Sequence, residues 1–425
     1  MRGEAWPEIR IGDLGEVFTG RTPSSDHPAY FGDDFPFITP GDMHQGKYAR
    51  ATERSLSLEG AALLKRIKIP ANSICVSCIG WQMGEAIMTA QPSFTNQQIN
   101  TIVPNGKVEP SFLYYSLLPR KQELLSLGSA RGVRTPILNK SAFCDLKVKI
   151  PPVSVQRWIA GILSAYDDLI ENNTRRIKIL EKMTQMIYRE WFELLRFPGH
   201  ETVKLVRSGD DLIPQGWTFE EMQHVAEVID CLHSKKPNHT DDGVGLMLQL
   251  FNIGEGGKLD LSKTYLISEA DYKLWTGRIE LSGGDCVITN VGRIAAVAQI
   301  PEGIKAAAGR NMTGIRPRPD RLTPTFLLEY LLSPSMVNEV HKKKDAGTIM
   351  DSLNVKGIIR LRLRVPPPPI MKRFESVVRP MRRLIEVLVA QNRSLRQTRD
   401  SLLPRLVSSE ISLKQLEANT ATQFS

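Results

Sequence analysis

The sequence predicts an α+β protein in which two homologous α/β domains are separated by two long helices. Three observations lead to this fold class. The chain repeats itself in order with a shift of 212 to 215 residues. Each copy begins with short strand-like runs, and each copy ends with apolar residues at heptad spacing.

The repeat is visible in four blocks that keep their order along the chain. The shift between the copies grows steadily, as small insertions in one of two homologous halves would make it, and chance similarity rarely keeps this order. The matching blocks are residues 77–80 with 289–292, 98–104 with 311–317, 111–118 with 325–332, and 137–152 with 352–367.

Each copy opens with a globular stretch of about 150 residues, the size of an ordinary domain. Strand-like runs alternate there with turns rich in Gly, Pro and Asn. A proline step follows at Pro151 and again at Pro366, and proline prevents the strand from continuing. The predicted segments are a first domain at 1–150, a helix at 151–196, a linker and second domain at 197–365, a second helix at 366–410 and a tail at 411–425.

The two helices carry apolar residues at alternating spacings of four and three, which keeps one seam facing a neighbouring helix. Asn173 and Gln391 fall on this seam, where a polar residue fixes the register of pairing; an error in the assigned heptad phase is the open alternative. Pro380 and Pro404 are expected to kink or bound the second helix. The predicted packing residues are Ile170, Asn173, Ile177, Leu180, Ile187 and Trp191 on the first helix, and Leu384, Leu388, Gln391, Leu395 and Leu402 on the second.

The composition is that of a globular protein with a basic surface. Of 425 residues, 41% are apolar and 24% charged, and the net charge of +9 suits a polyanionic partner without distinguishing DNA from RNA or a membrane surface. No run approaches the ~18 apolar residues that span a bilayer, and the N-terminus lacks the apolar core of a signal peptide. We therefore expect a cytoplasmic protein without a membrane partner.

The five cysteines do not form a disulfide framework, because their number is odd and they are widely scattered. The pair Cys75-x-x-Cys78 has the spacing of half a zinc site, but no second pair of ligands accompanies it. It lies in an apolar run, where buried reduced thiols are favoured over metal ligands. The seven histidines show no metal spacing, and we expect no metal site.

Four segments resemble the specificity subunits of type I restriction-modification enzymes. Residues 166–192 are similar to the central conserved region of that family and residues 391–406 to its distal conserved region. The openings at 6–23 and 214–217 look like the starts of its two target-recognition domains, although residues 228–237 lack the Gly-x-Thr-Pro found at 20–23.

The resemblance implies a non-catalytic subunit that recognises a bipartite, asymmetric DNA target and organises a larger enzyme. Each target-recognition domain would read one half of the target, and the two helices would pack as an antiparallel coiled coil that holds the domains apart. The implied partners are double-stranded DNA, two methyltransferase (modification) subunits and restriction/translocase subunits. S-adenosylmethionine, ATP and Mg²⁺ would be used on those other subunits, and this chain would bind no cofactor.

Motifs for catalysis are incomplete. Residues 41–48 nearly spell a phosphate-binding loop, but Tyr48 occupies the position at which Ser or Thr would bind Mg²⁺. The Pro-Pro runs do not form the motif with which adenine methyltransferases hold a flipped base, and no carboxylate cluster suited to a nuclease metal is present. A stand-alone restriction or modification enzyme and a coiled-coil adaptor without DNA specificity are the alternative functions.

Basic segments are the predicted DNA contacts. Residues 129–134 and 341–347 occupy the same place in the two halves, and a Gly-containing basic loop brings N–H groups and cations to phosphates. A solvated charge run is the alternative for either segment alone, and the row Arg360, Arg362 and Arg364 suits either interpretation. The predicted DNA-binding residues are Arg21, Thr22, Lys47, Arg131, Arg134, Lys140, Lys235, Lys236, Lys258, Lys342, Lys343, Lys344 and Lys356.

Overall fold

The computed structural model describes residues 6–129, 135–209, 211–344 and 352–408. The chain divides into two compact units. The first contains the chain up to Asn172 together with the chain from Ser394, and the second runs from Asn173 to Arg393. Within the described ranges, none of the helices combines the length and the apolar composition that a membrane span requires.

The first unit is built on a five-stranded sheet of order β2-β9-β6-β7-β4, beside a three-stranded sheet β5-β3-β8 and the pair β1-β10. We call residues 6–150 the first sheet domain. Its elements are β1 (Glu8–Arg10), α1 (Ile11–Leu14), β2 (Gly15–Thr19), β3 (Phe31–Ile38), β4 (Tyr48–Ala49), β5 (Arg54–Leu56), α2 (Leu58–Leu63), β6 (Ile74–Ser77), β7 (Ala86–Thr89), β8 (Phe94–Thr95), β9 (Ile99–Pro104), α3 (Pro110–Leu117), α4 (Lys121–Ser129), α5 (Lys140–Cys144) and β10 (Lys147–Lys149).

The second unit is built on a four-stranded sheet of order β14-β19-β17-β18, with the pairs β13-β20, β15-β16 and β11-β12. We call residues 217–365 the second sheet domain. The elements that follow β10 are α6 (Val153–Tyr188), β11 (Leu205–Ser208), β12 (Asp211–Pro214), β13 (Thr218–Glu221), α7 (Met222–Val225), β14 (Ala226–Asp230), β15 (Gly245–Leu246), β16 (Leu266–Ile267), α8 (Glu269–Trp275), β17 (Cys286–Thr289), β18 (Val297–Gln299), β19 (Met312–Pro317), α9 (Pro324–Leu331), α10 (Pro334–Lys343), α11 (Val355–Ile358), β20 (Arg362–Val365) and α12 (Pro368–Val407).

The same topology occurs in both sheet domains. The order β2-β9-β6-β7 in the first has its counterpart in β14-β19-β17-β18 in the second, and the pair β1-β10 has its counterpart in β13-β20. Helices α3, α4, α5 and α6 recur as α9, α10, α11 and α12 in the same sequence order. The predicted α+β class and its repeated unit are therefore confirmed at the level of strand order.

The long helices α6 and α12 pack in opposite directions. In the second unit, Ile177 shares an apolar cluster with Ile385 and Leu388, and Asn392 Nδ2 donates to Thr174 Oγ1 at 3.2 Å. Positions that advance along α6 therefore meet positions that recede along α12, which is an antiparallel pairing. The buried aromatic cluster at the end of this seam is formed by Tyr188, Phe192, Phe326 and Phe374.

The first helix presents its seam as the heptad pattern requires. Ile170, Asn173 and Ile177 are buried, and the predicted positions further along, Leu180, Ile187 and Trp191, are half-buried against apolar clusters. The α-helix ends at Tyr188 and continues as one π-helical turn, Arg189–Glu193.

On the second helix, two of the five predicted seam residues are wrong by one position. Leu384 is 36% exposed, whereas its neighbour Ile385 is 2% exposed. Gln391 is likewise exposed, and Asn392 takes the buried polar position. Leu388 is buried, and the predicted Leu395 and Leu402 are half-buried. The helix also runs through Pro380, so this proline does not bound it.

Candidate nucleic-acid interface

The first candidate surface lies at one edge of the five-stranded sheet, where β2 and β6 end and β9 begins. Because antiparallel neighbours alternate in direction, loops from three different strands meet at this edge. We call residues 20–22, 80–82 and 96–98 the first edge. Loops held by a rigid sheet are the usual carriers of recognition residues.

The turn after β2 is fixed by backbone hydrogen bonds and by one glycine. The Gly20 N–H donates to the Ile99 carbonyl at 3.1 Å, and the Arg21 N–H donates to the Thr95 carbonyl at 3.0 Å. A Cβ at position 20 would come within 2.2 Å of the Asn96 carbonyl oxygen, so glycine is required there. Thr22 Oγ1 donates to Gln97 Oε1 at 2.7 Å, and the Arg21 side chain is exposed.

An exposed tryptophan stands in the neighbouring turn, after β6. The side chain of Trp81 is 76% exposed, and the preceding Gly80 has a φ of 86°, which favours glycine. The Gly80 N–H donates to the Pro136 carbonyl at 2.9 Å. This hydrogen bond attaches the turn to Pro136. The predicted contacts Arg131 and Arg134 come shortly before Pro136 in the sequence, and both lie outside the described residues.

The second sheet domain forms an equivalent edge, where β14 and β17 end and β19 begins. We call residues 231–236, 290–293 and 310–311 the second edge. Its exposed cationic side chains include Lys235 and Lys236, with Lys236 Nζ 4.0 Å from the centre of the Tyr265 ring. Arg293 and Arg310 are also exposed, and Arg293 Nη1 donates to the Ile253 carbonyl at 2.9 Å.

Three backbone hydrogen bonds are shared by the two edges. In each half, the residue after β2 or β14 donates to the first residue of the central strand, β9 or β19. The residue after β6 or β17 donates to the residue before that central strand. The same residue also accepts from a backbone N–H further along the chain. The paired bonds are Gly20 to Ile99 with Cys231 to Met312, Cys78 to Gln98 with Asn290 to Asn311, and Leu138 to Cys78 with Leu353 to Asn290, at 2.8 to 3.3 Å. The two edges are therefore one backbone framework with different side chains.

Further predicted contacts are exposed on short helices. Lys140 follows Asn139, whose side chain caps α5 by accepting from the Ala142 N–H at 2.9 Å. In the second half, Lys356 is exposed on α11. The basic end of α10 carries Lys342, which is exposed and 3.0 Å from Glu339 Oε1, with the less exposed Lys343 and Lys344 after it.

Two predicted phosphate contacts are corrected by their surroundings. Lys47 is only 8% exposed, and its Nζ donates to Ser111 Oγ at 3.0 Å and to Ser164 Oγ at 2.7 Å. Burial lowers the pKa of this ammonium. Lys258 forms an ion pair with Glu181 of α6. Both turns therefore attach to the long helices, which removes these two lysines from the set of candidate DNA contacts.

Two buried cysteines lie near the first edge, and a cluster of three titratable side chains lies at the second edge. Cys75 and Cys78 are buried, and burial raises the pKa of each thiol to about 12, so both stay protonated. At the second edge, the ligand atoms of Asp230, Cys231 and His233 lie within 4.8 Å of one another. His233 Nε2 is 2.7 Å from Asp230 Oδ2, so these two groups satisfy each other directly.

Sequence analysis missed Trp81, Arg293 and Arg310. The repeat contained the necessary signal, because the shift of 212 pairs Trp81 with Arg293 and the shift of 213 pairs Gln97 with Arg310. The two members of each pair differ in chemistry, but both lie in the loop next to a repeated strand.

Comparison with known proteins gives consistent results. Residues 3–182 match the family model described as type I restriction modification DNA specificity domain. The chain is 25% identical over 422 residues to the type I restriction enzyme MjaIX specificity subunit of Methanocaldococcus jannaschii, covering 97% of this chain and 94% of that protein. It is 35% identical over 178 residues to the HindI specificity subunit of Haemophilus influenzae, covering 41% and 39% of the two chains.

One solved structure has the same fold along nearly the whole chain. The crystal structure of the type I restriction-modification system S subunit from M. genitalium superposes with a TM-score of 0.62 at 14% sequence identity. The match covers 96% of this chain and 97% of that chain.

Proposed function

We propose that the chain is a DNA specificity subunit of a type I restriction-modification enzyme and that it recognises a bipartite, asymmetric DNA sequence. The family match over residues 3–182 and the similarity to a specificity subunit along nearly the whole chain support this proposal. In this proposal each sheet domain reads one half of the target through its own edge. The chain is the non-catalytic component that gives a larger enzyme its DNA specificity.

The observation that carries the proposal is the repeated framework with different exposed side chains. The same three backbone hydrogen bonds hold both edges. The first edge presents Trp81, Arg21 and Gln97, whereas the second presents Arg293 and Arg310. Side chains that contact base edges read the DNA sequence, whereas contacts to the DNA phosphates only position the protein. Two edges of the same shape with different side chains suit two different half-sequences.

The partners follow from the family and from the exposed surface of the long helices. We propose that two methyltransferase subunits bind along α6 and α12 and that restriction/translocase subunits join them. Ile179, Met183 and Met186 lie at spacings of four and three on one face of α6 and are more than 40% exposed. A contiguous exposed apolar face is typical of a surface that another protein covers. Those subunits would bind and use S-adenosylmethionine, ATP and Mg²⁺. The assembled complex would work in the cytoplasm, where the chromosome is found.

The proposal is tested by mapping methylated adenines across the genome in strains with and without this gene. We expect one split motif, with two specified halves and an unspecified spacer, to lose methylation when the gene is deleted. An unchanged methylation map, in a strain whose modification subunit is expressed, contradicts the proposal.

Two further measurements separate the alternative functions. The isolated chain should transfer no methyl group from S-adenosylmethionine to DNA, and transfer by the pure chain would instead indicate a stand-alone enzyme. A random duplex should compete poorly with the mapped motif for the assembled complex. Equal competition would indicate an adaptor without sequence specificity.

A further inference from the structure

A buried polar contact joins the first sheet domain to the long helices. The Tyr115 hydroxyl of α3 donates to Asp167 Oδ2 of α6 at 2.6 Å, and Arg399 of α12 forms an ion pair with the other carboxylate oxygen. Tyr115 is fully buried and Asp167 is 8% exposed. Burial, and then the neighbouring carboxylate, raise the pKa of Tyr115, so its hydroxyl keeps the proton that it donates.

The second sheet domain makes its own buried polar contact with the helices. Glu329 of α9 accepts from Arg382 Nε of α12 at 2.5 Å, and Arg382 Nη1 donates to the Gly256 carbonyl at 2.9 Å. Glu329 is 1% exposed and Arg382 is 5% exposed. A buried ion pair of this kind is strongly destabilised when one partner is removed, because the other charge is left uncompensated.

The two contacts occupy equivalent places in the repeat but have different chemistry. Tyr115 and Glu329 correspond at the shift of 214 that relates α3 to α9, and Asp167 and Arg382 correspond at the shift of 215 that relates α6 to α12. The position in α6 that corresponds to Arg399 is Thr184, which is fully buried and uncharged. A neutral donor facing a carboxylate in the first half is thus replaced by a carboxylate facing a guanidinium in the second.

Exchange of the two domains would place incompatible groups together. Glu329 moved to the first position would bury a second carboxylate facing Asp167, across the space that the longer Tyr115 side chain fills. Two nearby buried carboxylates disfavour each other's ionised form, and the single guanidinium of Arg399 is already paired with Asp167. Tyr115 moved to the second position would leave the buried charge of Arg382 without its counter-ion. Neither error can be relieved by water at sites that are almost fully buried.

We propose that these contacts make the two docking surfaces of the helices specific for different sheet domains. The surface at Asp167 and Arg399 accepts a domain with an uncharged hydrogen-bond donor at the position of Tyr115. The surface at Arg382 accepts a domain with a carboxylate at the position of Glu329. A sheet domain acquired from a related chain therefore docks only in the position whose helix residue matches it.

The charge rule is tested in the full-length chain with a pair of substitutions of equal shape. Tyr115→Gln keeps a neutral donor, whereas Tyr115→Glu adds a carboxylate. We expect Tyr115→Glu to lower the Tm at neutral pH by about 5–15 °C more than Tyr115→Gln does. The added Asp167→Asn substitution should remove most of this difference, since one carboxylate is gone. Equal melting of the two single variants would overturn the proposal.

The position rule is tested by a chimera that carries the second sheet domain in both positions. Replacement of residues 1–150 by residues 217–365 should yield a chain whose first position melts early or fails to dock. Adding Asp167→Arg with Arg399→Thr converts the first helix surface to the second type and should restore cooperative melting. A chimera that melts equally with and without these two changes contradicts the rule. These measurements contain no DNA, so their outcome is independent of the proposed function.

Discussion

The first and second edges have the same backbone and different chemistry. Both are held by the same three hydrogen bonds between strand ends, but the first presents the aromatic Trp81 and the amide Gln97 where the second presents Arg293 and Arg310. The difference shows how one domain plan can serve two half-sequences: the framework fixes where the loops stand, and the exposed side chains are free to vary. An aromatic edge and a cationic edge should also respond differently to salt.

The largest expected effect comes from Trp81→Ala at the first edge. Aromatic stacking or wedging against bases contributes about 1–3 kcal/mol, so binding of the assembled complex to its target should weaken roughly 5- to 150-fold. The slope of affinity against salt should stay unchanged, because no phosphate contact is lost. Wild-type affinity in a titration with labelled duplex would remove Trp81 from the interface.

The matching change at the second edge is the pair Arg293→Ala and Arg310→Ala. A guanidinium that reaches a base edge also lies close to the flanking phosphates and displaces counterions, so the loss of both should lower the magnitude of the slope of log K against log salt by about 2, with weaker binding at low salt. The effect should be small at high salt, where the Trp81 variant is still impaired. An unchanged slope, or the same salt response for both edges, would contradict the distinction between them.

A smaller and less selective effect is expected from replacing Lys342, Lys343 and Lys344 with Ala. These residues end α10 and precede residues 345–351, which occupy the same place in the repeat as residues 130–134. Phosphate contacts carry no base information, so target and random duplexes should both bind more weakly, by a similar factor. Loss confined to the target duplex would instead place these lysines at the bases.

The smallest effect on DNA binding is expected from Lys47→Met, which serves as the control for the exposed cations. Its ammonium is buried between Ser111 and Ser164, so the substitution should change stability by about 1–3 kcal/mol and leave the salt slope as it is. Denaturant unfolding and salt-dependent binding measured on the same preparation separate these outcomes. A flattened slope would return Lys47 to the DNA-binding set.

Much of the architecture could be predicted because the sequence contains an internal repeat of the whole domain-plus-helix unit. The four repeat blocks led to the two sheet domains, and the heptad spacing led to the two long helices. The contacts of Lys47 and Lys258 could not be predicted. A Gly-containing turn with a lysine has the same sequence pattern whether the cation contacts a phosphate or a neighbouring helix. Only the packing of those turns on Ser164 and Glu181 decided it.

The heptad phase of the second helix shows a different limit. At each misassigned position two neighbouring residues have the same character, so the pattern fits either one. One residue turns a helix by about 100°, which is enough to move a side chain from the seam to the solvent. The ambiguous pairs are Leu384 with Ile385 and Gln391 with Asn392. Contacts with α6 select the second member of each pair.

The central claim is that each sheet domain reads its own half of the target. It is tested most directly by replacing residues 1–150 with the first sheet domain of a relative that has an uncharged donor at the position of Tyr115, and sequencing the methylated motif. We predict a change in one half-sequence, with the other half and the spacer length kept. A motif that is unchanged, or altered in both halves, would contradict the account.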